Sequence, residues 1–154
     1  DAASPTPNAQ AAAVKLAATT LDTTPPSFTV STPRVENVGE ASVDVVVQLN
    51  EAGRWWAAVI PASSPTAPTI SNVVDGTGPA GAYTGPLLTP AATASYARVA
   101  GLSPNTDYIV YVVAEDAATP PNRQAALTTV PFTTVVASPP FFGIGFPAVG
   151  PTND

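Results

Sequence analysis

From Ser42 to Leu49 the chain alternates strictly: Val43, Val45, Val47 and Leu49 fall on one side, and Ser42, Asp44 and Gln48 on the other. A two-residue period of this kind predicts a strand with one buried face. Asn50-Glu51-Ala52-Gly53 reads as a turn, and Arg54–Ile60 follows as its expected hairpin partner, closed by Pro61. Ala94–Val99, Asp107–Glu115 and Ala126–Thr134 predict three more strands, and Phe28 opens the first one. Between residues 61 and 92 the breakers crowd together, from Pro65 and Pro68 to Gly85, Pro86 and Pro90, around a short helical turn expected over Thr66–Val74. Short strands between turn signals, without a sustained helical period or an internal repeat, predict an all-β chain. The expected architecture is an antiparallel, immunoglobulin-like β-sandwich of about seven strands, with extended tails at both ends.

Two of these strands are apolar on both sides. Tyr108, Val110, Val112 and Ala114 oppose Ile109, Tyr111 and Val113, and Trp55, Ala57 and Val59 oppose Trp56, Ala58 and Ile60. The outer face of an isolated antiparallel sandwich is expected to be polar, so something should cover this one. The tails are the expected cover. The pattern divides the chain into an N-terminal tail (1–21), the sandwich (22–134) and a Pro/Phe/Gly-rich C-terminal tail (135–154). Val14, Leu16 and Leu21 supply apolar residues in the first tail; Phe141, Phe142, Ile144 and Phe146 supply them in the second. Pro139, Pro140, Pro147 and Pro151 bracket the second group and keep it out of the ladder of its own sheet.

Composition removes most chemistry. The 154 residues include no Cys, His or Met, which excludes imidazole bases, thiolate nucleophiles, disulfides and most sites for zinc, iron or copper. Five Lys+Arg against 11 Asp+Glu give a formal charge of −6, the wrong sign for nucleic acid or an anionic membrane surface. No apolar run is long enough to span a membrane. Hydrophobic residues at 45% nevertheless suffice for a core. The chain opens on Asp1 with no charged leader, and Ser, Thr, Ala and Pro dominate. The expected location is therefore extracellular or at the cell surface, in a mature form after signal removal.

A more specific likeness lies in the order of several segments. Thr24-Pro25-Pro26-Ser27-Phe28 opens the first strand, and Gly101-Leu102-Ser103-Pro104-Asn105-Thr106-Asp107-Tyr108 precedes Ile109–Val113. Ala114-Glu115-Asp116 then leads to a last strand ending in Pro131-Phe132-Thr133-Thr134. Over about residues 22–134 this order resembles a fibronectin type III domain of bacterial secreted or surface proteins. The resemblance implies that Tyr108 is the corner tyrosine, its hydroxyl bonded back to upstream backbone, and that Leu102 plugs the core beside it. The long 61–92 segment departs from the family pattern and has room for a short edge strand or a surface excursion.

Carboxylates are the remaining candidates for a site. Paired acids across a cleft would suit glycoside hydrolysis, but Glu115 and Asp116 are adjacent on a strand and point to opposite faces. No Gly-x-Ser-x-Gly elbow occurs, and no enzymatic activity is expected. Oxygen-rich loops suit calcium better, with Asp22, Glu51, Asp107, Glu115 and Asp116 as possible ligands if they converge at one end. No cofactor is otherwise expected. Trp55-Trp56 suggests a platform for sugar rings, yet one of two neighbours on a strand must face the core. The leading expectation is a secreted structural subunit that assembles with copies of itself into a filament, pilus-like fibre or sheath. The tail residues would dock on strands bearing Trp55, Trp56 and Tyr111, adding strands to a neighbour's sheet. The alternative is a non-catalytic adhesion, carbohydrate-binding or spacer module of a larger secreted protein, with surface glycans as partners.

Overall fold

Alternation at Ser42–Gln48 and the long apolar runs around Trp55 and Val110 become the two inner walls of a sandwich. The structure, a computed structural model, describes residues 15–16, 20–29 and 31–139. Seven strands, β1 (Arg34–Glu36), β2 (Ser42–Gln48), β3 (Gly53–Pro61), β4 (Ala82–Thr89), β5 (Ala94–Ala100), β6 (Asp107–Asp116) and β7 (Thr128–Thr133), are joined by one short helix, α1 (Ile70–Asp75). They form a three-stranded sheet in the order β1-β2-β5 and a four-stranded sheet in the order β4-β3-β6-β7. Every pairing is antiparallel. The chain is thus the all-β sandwich that its periodicity predicts.

The core lies between the sheets. Val43, Val45, Val47 and Leu49 with Ala97 and Val99 face Trp55, Ala57, Val59, Tyr108, Val110, Val112 and Ala114. Burying a Val or larger side chain contributes roughly 1.5–3 kcal/mol, so this layer carries most of the fold's stability. Its tryptophan is satisfied: the Trp55 indole N–H donates to Ser95 Oγ at 2.7 Å, tying β3 to β5 across the interface.

Three expectations are corrected by this topology. β2 and β3 are not hairpin partners: β2 pairs with β1 and β5, whereas β3 pairs with β4 and β6. The turn at residues 50–52 carries the chain from one sheet to the other, because both strands present an apolar face that must meet across the core. Phe28 does not open a strand; it forms an isolated bridge with Leu49, and β1 starts only at Arg34. The 61–92 segment holds both α1 and a complete edge strand, β4.

The third correction concerns the covered outer face. Trp56, Ala58, Ile60 and Val113 pack beneath Val73 of α1, flanked by Ile70, Val74, Tyr83, Tyr111 and Leu127. Among the described residues the cover comes from the crossover inside the sandwich, where the expectation had looked to the tails. A capping box starts the helix: Thr69 Oγ1 accepts from Asn72 N–H at 3.2 Å, and Asn72 Oδ1 accepts from Thr69 N–H at 2.9 Å. Gly76 ends it in the left-handed region at φ 68°. Opposite Trp56, β4 shifts register at Gly85-Pro86. A side chain at Gly85 (φ 118°) would lie 2.8 Å from the Trp55 carbonyl oxygen and the Trp56 Cα, so only glycine lets β4 approach here.

Candidate functional site

The last two residues of β6 sit at one end of the four-stranded sheet and point in opposite directions. Glu115 turns to the outer face, where it is 1% exposed. Arg54, its cross-strand partner in β3, reaches Oε1 through Nε at 2.6 Å and also through Nη2. Arg123, from the loop after β6, reaches Oε2 through Nε at 2.8 Å and Nη2 at 2.7 Å. Both guanidinium groups lie 5.4 Å from the Trp56 ring centroid. A carboxylate forked by two arginines is held by charge-assisted bonds on both oxygens, and the indole face beneath adds cation–π attraction. Trp56, at 5% exposure, is sealed under this group and Trp55 is in the core. Neither tryptophan offers a sugar platform.

Asp116 turns the other way, also buried. Burial alone would push its carboxyl up. Asn122 outweighs that through its N–H (2.7 Å) and Nδ2 (2.7 Å), with the Ala118 N–H (3.1 Å) adding to it, and the carboxyl is held below the ordinary range. Asn122 Nδ2 donates to the Asp22 carbonyl oxygen as well, at 3.0 Å, so one amide fastens the segment before Phe28 and the loop after β6 to the same strand end.

Of the five acids read as calcium candidates, the structure brings three together. Carboxylate oxygens of Asp22, Glu51 and Asp116 lie within 4.8 Å of one another. Calcium takes six to eight oxygen ligands, and both Asp116 oxygens already accept N–H donors. The trio is therefore first a clamp on the loop. Glu115 is taken by its two arginines. Asp107 is at the opposite end of β6, about 30 Å away at a strand rise of about 3.4 Å per residue, where its Oδ1 accepts from Thr133 Oγ1 at 2.6 Å.

At that far end the Tyr108 hydroxyl accepts the Ser103 N–H at 2.9 Å, a bond back over five residues. The Tyr108 ring stacks on Phe132 with centroids 5.6 Å apart, and Leu102 is buried in the same core. Thr134 Oγ1 donates to the Ser103 carbonyl at 2.7 Å and accepts the Thr106 N–H at 3.0 Å, locking the exit of β7 to this corner. The engaged chain continues past the expected sandwich boundary: Val135 N–H bonds the Gly39 carbonyl, and Ser138 N–H bonds Glu40 Oε1 at 2.8 Å. The Ser138 N–H, with the Ser138 side chain adding to it, lowers the Glu40 pKa.

The residues expected to form an assembly surface divide into three sets. Trp55, Trp56 and Tyr111 are corrected: the first two are buried and Tyr111 is half-buried beside α1, so none is a free docking face. Leu16 and Leu21 are exposed, Leu16 at 87%. Val14, Phe141, Phe142, Ile144 and Phe146 lie outside the described residues.

The edges of the sheets were not singled out by the sequence, and they differ sharply. β1 is three residues long and follows Pro33. β4 is broken by its register shift at Gly85-Pro86, and β7 carries Pro131 opposite Ile109. β5, Ala-Ser-Tyr-Ala-Arg-Val-Ala, spans seven residues without proline and, among the described residues, is paired on one side only, with β2. Proline, brevity and bulges are the usual protections of an edge; among the described residues β5 has none of them.

No model of a known protein family matches the chain, and no curated protein matches it in sequence. Among solved structures it is similar to a computationally redesigned β-sandwich protein, at 15% identity and a TM-score of 0.46, over 77% of this chain and 96% of that one. It is also similar to the fn3 domain of the human collagen alpha-1(XX) chain, at 22% identity and 0.44 over 82% and 98%. A third likeness is to the third fibronectin III domain of the human KIAA0343 protein, at 13% identity and 0.44 over 88% and 100%.

Proposed function

We propose that this chain is a non-catalytic, fibronectin type III-like building block that joins copies of itself outside the cell or on its surface. A neighbour's extended segment adds a strand to the open edge of β5. The single observation that carries this reading is the contrast among the edges: three are shortened, shifted or interrupted by proline, and β5 is left as a seven-residue template. Backbone hydrogen bonds along such an edge supply affinity, and alternate side chains supply specificity. The C-terminal segment is the proposed donor. Phe142, Ile144 and Phe146 repeat at strand period between prolines, and the chain is fastened to its own body up to Ser138. A donor that leaves one body and enters the next makes a head-to-tail contact, which builds an open filament.

The buried acids support the non-catalytic part of the reading. Glu115 is bonded on both oxygens by two arginines and both Asp116 oxygens accept N–H donors, so neither carboxylate presents a free oxygen to a substrate.

The chain has no cysteine, which makes disulfide trapping a direct test. Chains bearing Ala94→Cys or Ala100→Cys in β5 are mixed with chains bearing Ile144→Cys under mild oxidation. The expected product is an intermolecular disulfide between the two kinds of chain, absent when the first cysteine is placed at Ser63 in the crossover. Equal trapping at Ser63 and β5, or none at β5, overturns the reading.

A further inference from the structure

The outer face of the three-stranded sheet carries a groove of about 600 Å³ lined by residues of all three strands. Register places two rows of side chains across it. One row runs Glu36, Asp44, Arg98 and the other Arg34, Val46, Tyr96, each from β1 through β2 to β5. Tyr96 is 69% exposed, an aromatic ring standing beside a buried valine floor. The four charged groups sum to zero, and Arg34 is spent on its neighbour Glu36 at 2.6 Å.

Asp44 is the unexplained member. It is more than nine-tenths buried, and Asn37 Nδ2 donates to its Oδ2 at 2.8 Å, but Oδ1 has no hydrogen-bond partner. The nearest cation, Arg98 Nη1, is 3.7 Å away, beyond hydrogen-bond reach, on a side chain that is mostly exposed and already donates to Ser42 Oγ. A buried carboxylate oxygen that accepts no hydrogen bond calls for an explanation, because buried acceptors are almost always satisfied. Arg98 stands beside it with its side chain 61% exposed.

We propose that this groove binds a neutral sugar chain. Each feature selects for that chemistry. The aliphatic C–H face of a pyranose packs on an exposed aromatic ring, here Tyr96 with Val46 beside it. A sugar hydroxyl is a compact donor that reaches Asp44 Oδ1 once Arg98 swings aside, and adjacent hydroxyls accept from the Arg98 guanidinium. Zero net charge in the groove gives no reason to prefer a phosphate, sulfate or uronate. The groove is open and lined from all three strands, which suits internal units of a chain better than a single enclosed ring. The site uses outward side chains only, so it operates whether or not a neighbour pairs with the β5 backbone.

The test is titration calorimetry of the full chain with hexasaccharides of glucose, mannose and N-acetylglucosamine, and with heparin and polygalacturonate fragments as anionic comparators. The result expected is saturable binding of at least one neutral oligomer with a Kd near 1 mM or tighter, weakened about tenfold or more by Tyr96→Ala and by Asp44→Asn. Tyr96 is exposed and the Asp44 change is isosteric, and thermal melts of both variants confirm that they are folded. Leu88→Ala, an exposed apolar change on β4, should leave binding unchanged. Failure of every neutral oligomer to bind, equal binding by the Tyr96 and Asp44 variants, or binding confined to the anionic fragments overturns the proposal. Failure here leaves disulfide trapping at β5 unaffected, and the reverse is also true.

Discussion

Arg123 holds Glu115 through two nitrogens, at 2.8 and 2.7 Å, although one residue lies in a loop and the other ends a strand. With Arg54 on the other carboxylate oxygen, this group roofs Trp56 and fixes the loop after β6 against the four-stranded sheet. Replacing Glu115 leaves two partly exposed guanidiniums that can rehydrate, so the expected cost falls below that of a wholly buried pair. Glu115→Ala should destabilise the chain by about 2 kcal/mol, a drop in Tm of about 4–8 °C. Arg123→Ala should cost less and expose the loop between residues 117 and 127 to protease. Tm values from scanning calorimetry and limited proteolysis check both.

The covering of the outer face by α1 makes a separate prediction. Val73 is the helix residue that is fully buried over Trp56 and Ile60. Val73→Ala removes two methyl groups from that layer and should cost about 2 kcal/mol, with a red-shifted tryptophan emission as Trp56 gains water. Val74→Ala, at the flank of the same helix, should cost clearly less. If Val73→Ala is neutral, the helix does not protect this face.

Tyr108→Phe keeps the stacking on Phe132 and removes only the acceptor for the Ser103 N–H. The orphaned amide and lost bond should lower stability by about 1.5 kcal/mol. Hydrogen exchange at the Ser103 amide should accelerate by more than exchange in β2, which reads local loosening of the corner apart from the global effect.

Acid should weaken the chain through two named carboxyls. The N–H donors around Asp116 and the Ser138 bonds to Glu40 hold both below their ordinary values. Free Asp and Glu titrate near about 3.9 and 4.3, so on acidification the unfolded chain takes up these protons first. The stability that each group contributes is present above its unfolded value and is lost as pH falls through its folded value. Melts from neutral pH to about pH 2 should fall more steeply for the natural chain than for Asp116→Asn. Glu40→Gln should flatten the curve only slightly, since Glu40 is at the surface.

How much of this was legible in the sequence follows from what alternation records. Val43–Leu49 and Tyr108–Ala114 announce their buried faces because each must fill a wall of the core at period two. Alternation also showed that the face bearing Trp56 and Tyr111 needed a cover, but a need does not name its supplier. Val73 and Leu16 look alike in a sequence, and a six-residue helix is too short to establish a period. β4 was hidden because Gly85-Pro86 interrupts it, and the glycine is there so that the strand can touch Trp56. The turn after Asn50 would read the same in a hairpin and in a crossing between sheets. Among the acids, Asp22, Glu51 and Asp116 meet only through the folding of three distant segments. The arginine clamp left one faint signal, four arginines in a chain this acidic, and only folding pairs each of them with a carboxylate.

The proposed function stands or falls with self-assembly through the open β5 edge. Negative-stain imaging with sedimentation velocity on the full chain, over a wide concentration range and beside a version lacking residues 140–154, tests it most directly. The account predicts linear polymers that lengthen with concentration for the full chain, and a folded, non-assembling monomer for the shortened one. A full chain that sediments as a single 15.5 kDa species at every concentration, or polymers that form equally well without residues 140–154, would contradict it.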